Sequence, residues 1–137
     1  MSIEELDTSG GNFFTRSMDR FSEMVSETSK IAASGDKEAV REKLKELKEM
    51  SDEFKEIDSS KLSDNERKFC KYFTRALDRT FDMYSHILDV FESGDIEKSP
   101  DKAGLKLFFM TTKGVSLIAR DLNAAKKYME EEPEMMR

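Results

Sequence analysis

Phe13–Asp36 reads FFTRSMDRFSEMVSETSKIAASGD, and Tyr72–Asp95 reads YFTRALDRTFDMYSHILDVFESGD. Aligned without a gap, ten of the twenty-four positions are identical, and Phe13/Tyr72, Met18/Leu77, Glu23/Asp82 and Ile31/Val90 are close exchanges. A passage that occurs twice divides the chain into two similar halves, each a helix, an S-G-D stop and a second helix. In the first copy Phe14, Met18, Phe21, Val25, Thr28 and Ala32 recur at alternating spacings of four and three, the period of one helix face. This predicts a helix from Asn12, its N-cap, to Ser34. Gly35 supplies a left-handed cap and Asp36 can cap the helix that follows, so the joint is a tight hairpin.

The second helix, Asp36 to Ile57, carries a narrow stripe: Val40, Leu44, Leu47, Met50, Phe54 and Ile57. The rest of it is mostly charge, nine acidic and six basic residues between Asp36 and Asp58, so only one edge is expected to be buried. Ser63 and Glu66 form a capping box that starts a third helix, which runs to Ser93 and is stopped by Gly94. Ser99 or Asp101 caps the fourth, with Pro100 near its first turn. Up to Met129 this helix is apolar or small over about 200 degrees of its wheel, where a core-facing stripe needs about 100. Gly104 and Gly114 are expected to let a neighbouring helix approach. The expected fold is all-α: an up-down-up-down four-helix bundle built from two duplicated hairpins, residues 12–57 and 63–130. Residues 1–11 read as a flexible start and 131–137 as a frayed tail.

At 137 residues the chain is one domain, and a net charge of −6 gives no overall pull toward nucleic acid or acidic membranes. Its apolar runs are too short to span a bilayer or act as an export signal. Cys70 is the single cysteine, which excludes an internal disulfide and a cysteine-based zinc site. Its setting, FCKYF, reads as an unreactive helix-face position, and a free thiol points to the cytoplasm. No cofactor or metal is expected. A carboxylate-bridged di-metal site needs inward glutamates and a Glu-x-x-His pair, and Met83 stands three before His86. Phosphate-binding glycine loops and nucleophile elbows are also missing.

The two copies share more than core positions. Thr15, Arg16, Asp19 and Arg20 match Thr74, Arg75, Asp78 and Arg79. One reading pairs Asp19 with Arg16 and Asp78 with Arg75 locally; the other makes Arg16, Asp19, Arg20, Arg75, Asp78 and Arg79 a contact patch for a partner's carboxylates or phosphates. On the fourth helix Lys106, Lys113, Arg120 and Lys127 recur every seventh residue. This basic strip can face Glu42, Glu46, Glu49, Glu53 and Glu56 of the second helix, within one chain or between two.

His86, the sole histidine, follows Arg79 by two helical turns. An arginine followed by a histidine on a helical chain resembles the pattern of HEPN ribonucleases. That resemblance implies His86 as general acid/base and Arg79 as phosphate stabiliser. Thr80 stands where that family has its usual polar residue, and Glu27 replaces His86 in the first copy.

The residues favour a non-catalytic interaction module over an enzyme or a small-ligand binder between the halves. The surplus apolar surface of the fourth helix predicts a homodimer or a docked protein partner; the sequence favours neither nucleic acid nor a membrane. Met129, Met135 and Met136 are further candidates for contact with a second subunit.

Overall fold

The computed structural model describes residues 13–136. They form α1 (Phe13–Ser26), α2 (Thr28–Ser34), α3 (Lys37–Lys55), a 3₁₀ turn (Ser59–Lys61), α4 (Asp64–Glu92), α5 (Asp95–Lys98), α6 (Pro100–Glu130) and a second 3₁₀ turn (Pro133–Met136). No strand occurs among the described residues, and the fold is all-α. Asn12 and the stretch 1–11 lie outside the described residues.

Local chemistry sets most of the boundaries. Gly35 (φ 68°) and Gly94 (φ 80°) adopt the left-handed conformation that ends α2 and α4, a region costly for residues with a Cβ. The Asp36 carboxylate accepts hydrogen bonds from the Glu38 and Ala39 N–H groups at 3.0 and 3.2 Å and so starts α3. The capping box forms: Ser63 Oγ accepts from the Glu66 N–H at 3.2 Å, and Glu66 Oε1 accepts from the Ser63 N–H at 2.8 Å. Pro100 opens α6, while Ser99 in the cap position makes no side-chain capping bond.

The first helix does not run unbroken to Ser34 as expected. It is interrupted at Glu27, whose N–H is shared between the Glu23 and Met24 carbonyls at 3.1 and 3.3 Å. The Met24 carbonyl also accepts from Tyr84 Oη and from Thr28 Oγ1, each at 3.3 Å, and the two hydroxyls lie 2.9 Å apart. A buried hydroxyl from α4 has entered the helical ladder, which is a recognised cause of helix breaks. The joint between α4 and α6, residues 95–99, is itself mostly helical, its first four residues forming α5.

The most extensive packing is of α4 with α6 and of α3 with α4, and α2 leans on α6. Gly114 permits the first of these: a Cβ there would stand 2.5 Å from Met83 Sδ. Gly104 makes no such approach, for a Cβ there meets nothing within 4 Å. The segment α1 reaches the rest through rings, Phe14 on Phe69 at 5.0 Å, Phe21 on Phe73 at 5.4 Å and Phe13 on Phe54 at 5.1 Å. Each such ring contributes about 1.5–3 kcal/mol through burial, and the edge-to-face pairs of Phe14 and Phe21 add about 0.5–1.5 kcal/mol each.

The last described turn is anchored. Met135 is 2% exposed and packs in the core, and Met129 is 5% exposed. Ser63 Oγ, already the cap of α4, donates to Glu132 Oε2 at 2.7 Å and ties the last turn to it. Met129 and Met135 therefore serve their own core, because the turn after α6 folds back toward α1.

Candidate functional site

One face of α6 is covered and the other is not. Ala103, Leu107, Ile118, Leu122, Ala125 and Met129 are buried at helical spacing against α4 and α2. On the uncovered side Leu105 is 56% exposed, and Phe108 and Phe109 are each 61% exposed. The two phenyl rings meet edge to face at 5.8 Å. Phe81 of α4, at 39%, is the other large exposed apolar side chain among the described residues.

Beside this ridge runs a groove of about 510 Å³ between α2, α5 and α6. Its lining includes Ala32, Ala33, Gly35, Gly104, Leu107 and Phe108, and none of the residues that line it is charged. The α2 wall belongs to the first half of the chain and the α6 wall to the second. Gly104 thus opens a groove rather than admitting a helix.

The basic strip is exposed along its length, at Lys106, Lys113, Arg120 and Lys127. Among the described residues none of the four forms an ion pair with α3. Two of the α3 glutamates are engaged elsewhere, Glu46 with Lys43 at 3.9 Å and Glu53 with Arg20 at 3.8 Å.

Three of the repeated arginines reach across to other helices. Arg79 Nε lies 2.8 Å from Asp121 Oδ2 and Arg75 Nη1 lies 4.0 Å from Asp121 Oδ1. Asp121 is 4% exposed. The Arg79 contact is close but off the hydrogen-bonding angle, so it is an ion pair without a formed hydrogen bond. Arg20 likewise crosses to the next long helix, at Glu53. Asp19 and Asp78 are exposed, and Arg16 is half-buried. Sequence reasoning passed over Asp121, although it is the single acidic residue between Lys102 and Met129.

His86 is exposed, and its Nδ1 donates to the Asp82 carbonyl at 2.7 Å, since a carbonyl can only accept. It lines a small pocket of about 240 Å³ with Asp89, Lys106 and Met110, whereas Arg79 is held by Asp121. Arg79 is not among the residues that line this pocket. Cys70 is half-buried, and burial, aided by the nearby Glu66, pushes its thiol up to about 12. Burial also raises the Tyr84 phenol above its ordinary value, against the lowering effect of the Thr28 hydrogen bond. No group of three His, Cys, Asp or Glu side chains suited to a metal ion occurs among the described residues. No helix there is long and apolar enough to cross a membrane.

Comparison with protein families, with curated proteins and with solved structures finds no match.

Proposed function

We propose that the chain is a non-catalytic association module. In this reading it is an up-down-up-down four-helix bundle of two duplicated hairpins, located in the cytoplasm, that forms a homodimer through α6. The observation that carries it is the adjacency of Leu105, Phe108 and Phe109 on a helix whose opposite face is already buried. Scattered apolar residues on a surface are ordinary; three large ones together beside an uncharged groove mark a contact. The pairing of Arg20, Arg75 and Arg79 within the chain leaves α6 as the stronger of the two candidate surfaces.

Sedimentation equilibrium across low to high micromolar concentration tests the reading. The wild type should associate, and a Phe108→Ser/Phe109→Ser variant should be a monomer with unchanged helicity. A wild type that stays monomeric throughout, or a variant that associates equally well, removes the proposal.

A second reading has the groove as its support. Its volume of about 510 Å³ and its uncharged lining between the two halves suit a small apolar ligand. A ligand screen read by thermal shift tests it: a bound compound raises Tm with ligand excess, and Gly104→Leu, which fills the groove, abolishes the rise.

A further inference from the structure

We infer that α6 pairs with α6 of a second copy in antiparallel fashion about a two-fold axis, through the row Asp101, Leu105, Phe109 and Lys113. The inference rests on the self-association proposed above and specifies its geometry. Residues four apart form one ridge of a helix surface, and ridges of this kind interlock in the commonest class of helix packing. Along this ridge the order is acid, apolar, apolar, base, and all four side chains are exposed.

Such an order is complementary to its own reverse. A two-fold axis crossing α6 at the level of Leu107 sets Asp101 against the partner's Lys113 and Leu105 against the partner's Phe109. Symmetry supplies both pairs again. A parallel arrangement would instead oppose Asp101 to the partner's Asp101 and Lys113 to the partner's Lys113, two like-charge contacts. Neither Asp101 nor Lys113 has an ion pair within its own chain among the described residues. The same rotation brings the partner's Phe108 to the level between Gly104 and Phe108, over the groove, where a Gly104 Cβ would meet nothing within 4 Å. An unrelated helix would have no reason to match this inversion of charge; a second copy matches it by construction.

The test measures dimer Kd by sedimentation equilibrium for Lys113→Asp, Asp101→Lys and the double exchange, each checked for native helicity. Each single reversal turns two attractions into two repulsions and should weaken association roughly five- to thirty-fold. The double exchange restores the acid–base order and should return Kd to within about twofold of wild type. If Phe109→Ser abolishes the dimer but the reversals leave Kd unchanged, or the double exchange fails to rescue it, this geometry is overturned and the self-association stands. If the wild type never associates, both fall together.

Discussion

Arg79 Nε and Asp121 Oδ2 stand 2.8 Å apart and join α4 to α6 through a carboxylate whose side chain is 6% exposed. Arg75 approaches the same carboxylate from one turn earlier. In the first copy Arg20 makes the corresponding reach to Glu53. The second arginine of each repeated passage thus links its helix to the next long one.

Asp121→Ala should destabilise the protein by about 1–2 kcal/mol in urea unfolding. Removing one partner of a fully buried pair costs about 3–5 kcal/mol. Arg79 is 39% exposed, so solvent screens part of that loss. Asp78→Ala, at an exposed position, should change stability by less than about 0.5 kcal/mol. Equal effects would mean that the arginines answer to Asp78 after all.

Tyr84→Phe should lose about 1 kcal/mol, the net value of a hydrogen bond, by deserting Thr28 and the Met24 carbonyl. The phenol is raised in the folded protein above its ordinary value of 10.0. Its contribution to stability is therefore complete below pH 10.0 and is lost as pH rises beyond it. Urea titrations from pH 8 to 11 should show a steeper alkaline decline for wild type than for the variant.

The Cys70 thiol, pushed from 9.0 to about 12, should resist reagents that attack through the thiolate. At pH 8 the folded protein holds about a thousandfold less thiolate than the urea-unfolded chain, and its labelling should be slower in the same proportion. Rapid native labelling would place the thiol in water.

The two helical glycines should respond oppositely to alanine. Gly104→Ala gains about 1 kcal/mol from helix propensity because its Cβ meets open space. At Gly114 the same gain is offset by displacement of Met83, whose Sδ lies 2.5 Å from the added atom. Thermal melts should rank Gly104→Ala above wild type and Gly114→Ala at or below it.

Features governed by neighbouring residues were legible in the sequence. Gly35, Asp36 and the Ser63–Glu66 box act within a few positions of themselves, and a helix end needs little else. The excess apolar surface of α6 was also legible, since a wheel coloured on two sides shows that one must face outward. What stayed hidden depends on distant partners. The interruption at Glu27 comes from a hydroxyl on α4. Met135 follows Pro133 among glutamates and looks terminal until its turn folds onto the core. Asp121 sits beside Arg120 and reads as part of a basic strip, while its side chain faces Arg75 and Arg79 on another helix. The expectation that Gly104 admits a helix failed because its place on α6 points toward the groove.

The interruption at Glu27 reaches beyond the helix it divides. Tyr84 holds the joint at which α2 begins, through the Thr28 hydroxyl and the Met24 carbonyl. The same segment carries Ala32, Ala33 and Gly35 along one bank of the groove. Loss of the one buried Tyr84 oxygen should therefore be felt at the groove as well as in the core.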